Sequence, residues 1–449
     1  MDSFYKNVRD FGAVGDGISN DTAAIQRALD AGGAVYVPGG TYRTGTLYLR
    51  SNGGLELAPD AVLMGSPDPA DYNSYDAFQQ NWKCDEERAS GAHLIVALEC
   101  ENVFIGGKGR IWGNREAFFD PLTYPFGSRT YFDGWRPSQM ILFCECKDVS
   151  VTDVTLVNSP YWSLMFMGCD DVRVRSLDIS NTPWQSWNGD GIAIDCCHNV
   201  TVSDCIVRSS DDGVTVRASV GKHLKKHDDV CENIAISNCV MLGHSGIRYG
   251  VGSGTIRNCS ASNLTIKGGL RGIGIHQSYE TKLFPEGARG CQVENITLSN
   301  LSIDCQMPFY LTATTPPTVI QPSSQHQIRG ISYNNIRARG WLPVMVSIAN
   351  EDMNISDVSM TDCAFEIHDG PADVFAITQK NILRGWAKYY EYGMYFENVR
   401  DVYFHNVRVN WENEVNGWKS ALCMKNTHEM TFRDCHFDAP RSGTDVIRL

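Results

Sequence analysis

Two short phrases hold the residue types that chemistry needs. SSDDGVTV, Ser209 to Val216, sets Asp211 and Asp212 side by side ahead of a glycine and a β-branched run. NGDGIAID, Asn188 to Asp195, has the same shape, with Asp190 and Asp212 in equivalent places. Carboxylates this close disfavour simultaneous ionisation, which keeps one of them protonated near neutrality. One protonated and one ionised carboxyl are what hydrolysis of a glycosidic bond requires: an acid for the leaving oxygen and a base for water. A calcium site, or aspartates that satisfy turn amides, are the structural alternatives.

Four strand starts share one phase: Asp190-Gly191-Ile192, Asp212-Gly213-Val214, Ser245-Gly246-Ile247 and Arg271-Gly272-Ile273. His244 stands one position ahead of the third, as Asp211 does ahead of the second. If successive coils stack in register, three carboxylates, a histidine and an arginine converge on one patch.

The element that must position them is a repeat. A polar residue or two followed by V-x-V or I-x-I recurs as ENVFI, KDVSV, DDVRV, HNVTV, ENIAI, ENITL, MNISDV and RDVYF. Self-similarity at a period of about 20–30 residues with short β-runs indicates a solenoid, and this strand content makes it a parallel β-helix. A β-sandwich would show hairpin turns, and Asn-Gly pairs occur only at Asn52-Gly53, Asn188-Gly189 and Asn416-Gly417. The expected fold is all-β: a single-stranded right-handed parallel β-helix in one domain over residues 1–449. Residues 1–65 would form the N-terminal cap and first coils, 66–137 groove-lining inserts, and 138–449 the regular coils. NDTAAIQRALDAGG, Asn20 to Gly33, reads as an amphipathic helix capped at Asn20/Asp21 with Ile25, Ala28 and Leu29 inward. It is placed to cover the open end of the solenoid. The aromatic inserts at 66–92 and 112–137 suit either the walls of a groove or packing over the coils.

Composition bounds the function. The 449 residues are 43% hydrophobic and 10% aromatic, with 41 glycines, so a sizeable core is affordable and helix is not favoured. A formal net charge of −13 argues against a nucleic-acid partner, and an acidic substrate would need a local cationic site. KHLKKH, Lys222 to His227, is the one dense basic run and reads as a solvated loop. No apolar stretch approaches the roughly 20 residues that span a membrane, so no membrane partner is expected. The N-terminus MDSFYKNVRDFG shows no signal-peptide core. A cytoplasmic location is expected as the sequence stands, and a secreted or periplasmic one if a signal has been removed. The 16 cysteines include no C-x-x-C, and many share one context, closing VTVSDC at Cys205, IAISNC at Cys239 and TIRNC at Cys259. Small buried packing is the expected role. No glycine-rich phosphate loop and no metal-ligand spacing occur, so neither cofactor nor metal is expected.

These residues resemble the polygalacturonase family, glycoside hydrolase family 28, over nearly the whole chain. DFGAVGDGISNDTAAIQRAL and VYVPGGTYRTGTLYLRSNGGLELAPDAVLMGS are similar to the N-terminal region of its bacterial members, and GRIWGN, RPSQMILF and NSPYWS match further phrases in order. The family's Asn-Thr-Asp appears as Asn188-Gly189-Asp190 and its paired aspartates as Asp211-Asp212. The resemblance implies inversion at the anomeric carbon, with Asp211 as general acid and Asp190 and Asp212 activating water. Asn188 and His244 would contact substrate. Two motifs depart from the pattern. Gly-His-Gly becomes Gly243-His244-Ser245-Gly246, and Arg-Ile-Lys, which grips a uronate carboxylate, falls on Gly274-Ile275-His276. Arg271, Arg248 and His276 are the candidates to replace that grip. An inverting hydrolase of a pectin-type polysaccharide or oligosaccharide is therefore the leading expectation. A uronate lyase or epimerase, or a non-catalytic glycan-binding β-helix, remain the alternatives on the same scaffold. The partner expected in each case is a carbohydrate, and the oligomeric state is open.

Overall fold

The recurring valines pair as stacked coils require. Val103, Val149, Val172, Val200 and Ile234 lie in register on successive parallel strands, fully or almost fully buried. The computed structural model describes residues 5–83, 89–119, 135–181, 188–226, 228–277, 290–313, 327–368, 370, 391–412 and 417–449. It comprises two compact units, Met1–His244 and Ser245–Leu449. In each, coil after coil contributes parallel strands about 4.8 Å apart. The second unit repeats the pattern with longer strands: Cys259, Ile296, Ile331, Val358, Val402 and Met430 pair in register. The hairpin-built sandwich is thereby excluded for these strands. Each inward valine contributes about 1.5–3 kcal/mol by burial.

The polar residue ahead of each valine has a conformational reason. Backbone φ is 53° at Asn102 and Asp148, 56° at Asp171, and 59° at Asn199 and Asn233, all in the left-handed region. Asn and Asp occupy that region at low cost among non-glycine residues. Their side chains then bond from coil to coil, Asn102 to Asn52 at 3.2 Å and Asn233 to Asn199 at 3.1 Å. In the second unit Asn335 bonds Asn300 at 2.8 Å and Asn300 bonds Asn263 at 3.1 Å. Each such residue turns the chain and ties neighbouring corners together.

Cysteine use follows the same phase logic. Cys100, Cys146, Cys169, Cys197 and Cys231 precede residues that pair in register, so one thiol stands on each of five successive coils. All five are buried and unbridged, as small packing residues should be. Burial pushes the Cys169 thiol well above its ordinary range. Cys259 departs from the context its sequence shares with Cys205 and Cys239. All three follow a left-handed residue, but Cys205 and Cys239 stand between strands, whereas Cys259 lies within Thr255–Lys267 and pairs with Ile296.

The amphipathic helix forms at Thr22–Asp30 and buries Ala24, Ile25, Ala28 and Leu29. Its capping differs from expectation. Asp21 turns its carboxylate to the amides of Val14 and Gly15, at 2.7 and 3.0 Å, and Asn20 accepts from the Thr22 amide at 3.0 Å. Gln26 caps the edge strand Leu47–Tyr48 directly: its Oε1 accepts from the Tyr48 amide at 2.8 Å and its Nε2 donates to the Tyr48 carbonyl at 3.0 Å. Of the aromatic inserts, residues 84–88 and 120–134 lie outside the described residues. In the described part, Tyr72 and Phe118 pack against Trp135, with ring centroids 5.4 and 5.7 Å apart. Among the described residues no helix is long and apolar enough to cross a membrane.

The basic run is an exposed loop, as expected, and it is also fastened to the coils. The amides of Lys225 and Lys226 donate to Glu145, and the Lys225 and Lys226 ammonium groups lie 2.8 and 3.2 Å from Glu99. Gln80, fully buried, donates to Glu99 at 3.0 Å and also to Glu145. His227 and the side chain of Lys222 lie outside the described residues. Lys225, then Gln80 and Lys226, hold the Glu99 carboxyl down to about 2. An unfolded glutamate protonates near 4.5, so this stabilisation is complete above that pH and is lost as pH falls towards 2. Hydrogen exchange at the Lys225 and Lys226 amides, corrected for intrinsic rate, should therefore accelerate across that window. In Glu99→Gln the protection should already be weakened at pH 6.

Candidate active site

The two Asp-Gly phrases meet on neighbouring rungs of the first unit. Ile192–Asp195 pairs with Asp212–Ala218 through Ile192 opposite Val214, which places Asp190 opposite Asp212. The Gly191 amide donates to the Asp212 carbonyl at 3.0 Å, so the peptide groups beside the two aspartates are directly bonded. Glycine after the aspartate has a steric cause: a Cβ on Gly191 would stand 2.4 Å from the Gly213 carbonyl oxygen. Asp190 and Asp212 are 5% and 3% exposed, while the Asp211 side chain retains 26% exposure. His244 lies with Nδ1 3.9 Å from Asp211 Oδ1. The serine inserted into the family's Gly-His-Gly thus leaves the imidazole beside the paired aspartates.

Polar groups that the sequence reading did not assign hold this constellation. Asn188, with φ 58°, accepts a 3.0 Å hydrogen bond on Oδ1 from Arg136 Nη2. Arg136 is 2% exposed, donates from Nη1 to the Pro160 carbonyl at 3.0 Å, and stacks over Tyr161 at 4.8 Å. Asn188 is therefore fixed from below before any substrate arrives. Ser209 Oγ donates to the Asp211 carbonyl at 2.9 Å, and the His244 amide donates to the Ser209 carbonyl at 3.2 Å. A Cβ on Gly243 would lie 2.4 Å from that carbonyl oxygen. The two serines of SSDDG are buried scaffolding. RPSQMILF and NSPYWS carried the signal for Arg136 and its partners, but only as matched phrases without a role.

The remaining candidates lie in the second unit. Ser245 pairs with Arg271, and Arg248 with Gly274, which pairs with Tyr310. The Arg271 guanidinium sits 5.5 Å over the Tyr310 ring. A Cβ on Gly274 would lie 1.8 Å from that ring, so Tyr310 occupies the space over this strand. His276 is half-buried, bonded through Nδ1 to Thr312 Oγ1, with its ring 6.2 Å from Tyr310. Burial first, then Arg248 and Arg271, press the His276 pKa down to about 3. Its imidazole is neutral at physiological pH, leaving the two arginines as the cations of this cluster.

A sequence profile for glycosyl hydrolases family 28 matches residues 76–381, a span that contains all three aspartates. The chain belongs to glycosyl hydrolases family 28. A profile for rhamnogalacturonase A/epimerase, pectate lyase-like, matches residues 5–110 of this family 28 chain. A probable polygalacturonase of Vitis vinifera is 25% identical over 352 residues, 73% of this chain and 67% of that protein. An exo-poly-alpha-D-galacturonosidase of Dickeya chrysanthemi is 26% identical over 342 residues, 66% of this chain and 55% of that protein. The chain thus spans about half to two thirds of the length of these relatives. Among solved structures, the family 28 exopolygalacturonase of Yersinia enterocolitica has a TM-score of 0.70 at 20% identity, covering 94% of this chain and 77% of the other. That likeness concerns the fold, the right-handed parallel β-helix. Among the described residues, no group of three or more His, Cys, Asp or Glu side chains is placed to hold a metal ion.

Protonating His276 costs stability in the folded state. Between its ordinary pKa of 6.5 and about 3 the unfolded chain binds the extra proton, so stability falls as pH is lowered through that window. His276→Gln should flatten this slope, and thermal unfolding of variant and parent from pH 7 to 4 measures the difference.

Proposed function

We propose that the chain is an inverting hydrolase of galacturonan-type pectic glycans, with Asp211 as general acid and Asp190 and Asp212 activating the attacking water. The observation that carries this reading is the bonded pairing of Asp190 and Asp212 on adjacent rungs, with the more exposed Asp211 beside them and His244 against it. Inversion needs a water between base and sugar and therefore a wide carboxyl separation, about 6.5–9.5 Å in such enzymes. In this reading the side chains diverge from the two rungs and from the adjacent position 211 to leave that gap. The relatives support the substrate class, since both are named for galacturonan cleavage and the Dickeya protein for exo action. Exo action is accordingly the mode we assign.

Asn188 and His244 contact the substrate in this reading, and Arg248 and Arg271 take a substrate carboxylate. The neutral His276 then contributes shape and a hydrogen bond. A chain with net charge −13 gains from such localised cations when its substrate is an anion.

Asp190→Asn and Asp211→Asn should each lower kcat about 10²–10⁴-fold with the fold intact, as loss of an acid or base does. The check is release of reducing ends from oligogalacturonates, with NMR of the first-formed anomer to show inversion. Wild-type-like rates in both variants would sink the assignment. An ultraviolet-absorbing unsaturated product would replace it with lyase chemistry, and binding without turnover with a glycan-binding role. Arg271→Ala should raise KM for acidic oligosaccharides severalfold with little change in kcat. An unchanged KM would remove Arg271 from substrate recognition.

A further inference from the structure

Directly before Asp190 lies a buried polar hub that the assigned chemistry does not use. Asn181 is 1% exposed, and its side chain makes three hydrogen bonds. Oδ1 accepts from the Ser159 amide at 3.0 Å, while Nδ2 donates to Ser163 Oγ at 2.8 Å and to the Gly189 carbonyl at 3.1 Å. The orientation of the amide is fixed by chemistry: a backbone N–H needs an acceptor and a backbone carbonyl needs a donor, so the reverse assignment would break both contacts. Ser163, itself fully buried, passes the constraint on. Its Oγ and its amide both donate to the Asp190 carbonyl, at 3.0 and 2.9 Å. The Ser210 amide, next to Asp211, donates to the Gly189 carbonyl at 3.2 Å.

Residues 189 and 190 thus have both carbonyls held, one by Asn181 and Ser210 and the other by Ser163. We propose that Asn181, acting through Ser163 and the Gly189 carbonyl, is a positioning residue that sets the Asp190 carboxylate against the Asp211–Asp212 pair. This inference rests on the hydrolytic reading above and adds to it the group that fixes the geometry. The demand for such a hub is physical. Asp190 follows a glycine, whose backbone is the least constrained of any residue, and a displacement of 1 Å at a reacting group can cost about 10²-fold in rate. The hydrogen bonds of the Asn181 side chain reach none of the three carboxylates, so its effect passes through the backbone.

The informative variant is Asn181→Asp, which keeps shape and the acceptor for Ser159 but replaces the donor facing Gly189. Ionised, the new carboxylate opposes the Gly189 carbonyl; protonated, it donates again. Burial among acceptors raises the pKa of such an acid. The charged groups on the segments around Asn181 are Arg208, paired with Asp178 at 2.7 Å, Asp190, and Asp211 and Asp212 after Ser210. All are common to variant and parent, so the ratio of rates isolates the titration that the new carboxyl adds, its coupling to these groups included. With oligogalacturonate as substrate, kcat of Asn181→Asp should fall at least tenfold at pH 7 with KM within twofold of the parent. The ratio of variant to parent kcat should rise as pH is lowered to 4.5. Ser163→Ala, which retains the backbone bond to Asp190, should lower kcat about threefold to tenfold at unchanged KM, and decides the matter if Asn181→Asp does not fold by circular dichroism. Parent-like kcat in a folded Asn181→Asp, a loss that appears in KM, or a variant-to-parent ratio that does not change with pH would overturn the proposal. So would parent-like kcat in Ser163→Ala if Asn181→Asp fails to fold. Asp190→Asn runs alongside: if it hydrolyses as the parent does, the hydrolytic reading itself has failed, whatever Asn181 does.

Discussion

The hydrogen bond from the Gly191 amide to the Asp212 carbonyl fixes how close two acids from different coils can come. Its length is that of any rung in a parallel sheet, so the separation of the aspartates is inherited from strand spacing and not from loop geometry. Everything else in the first unit serves to keep that rung where it is. The inward valines prevent slippage of register, because a shift of one residue would turn the apolar side of every strand outward. The left-handed Asn and Asp corners prevent rotation of one coil on the next. The glycines allow the approach, since any Cβ at position 191 or 243 would strike a carbonyl oxygen.

A site built this way divides the labour between regular and irregular parts. Regular stacking delivers Asp190 and Asp212, and their exposures of 5% and 3% reflect their position at the mouth of buried strands. Irregular contacts supply the rest: Arg136 holds Asn188, Asn181 and Ser163 hold the following carbonyls, and Ser209 holds Asp211. In the second unit Tyr310 lies over Gly274, against Arg271 and His276. Burial there, and then the charges of Arg248 and Arg271, keep the histidine neutral. The cationic character there belongs to arginine alone, which no change of pH in the physiological range can remove.

Much of this was legible from residue types. The V-x-V phrase announced the coils because strand burial leaves a period in the sequence, and each Asp-Gly announced its rung because close approach excludes a side chain. The helix over Thr22–Asp30 was legible for the same reason, although its cap was not. Asp21 has two possible sets of amides to satisfy, and only the fold shows that Val14 and Gly15 win. Arg136, Asn181 and Ser163 were illegible as site residues because they are single polar side chains that no period marks, and only the fold brings them to residues 188–190. The lysine run was legible as an exposed loop but not as a tethered one. Its ties appear only when the buried Gln80 and the glutamates of two other coils are brought beside it. Cys259 misled through its neighbours: the sequence around it copies that of two cysteines between strands, while Cys259 lies inside one.

The glutamine that seals the first coil has a bearing on how the molecule behaves in a crowded solution. Strand Leu47–Tyr48 would otherwise offer an amide and a carbonyl in the pattern that another extended segment recognises. One side chain amide from the helix, presenting the same donor and acceptor as a peptide bond, occupies both. The helix is therefore a chemical imitation of the next rung that stops the pile from growing, and discourages end-to-end assembly into filaments.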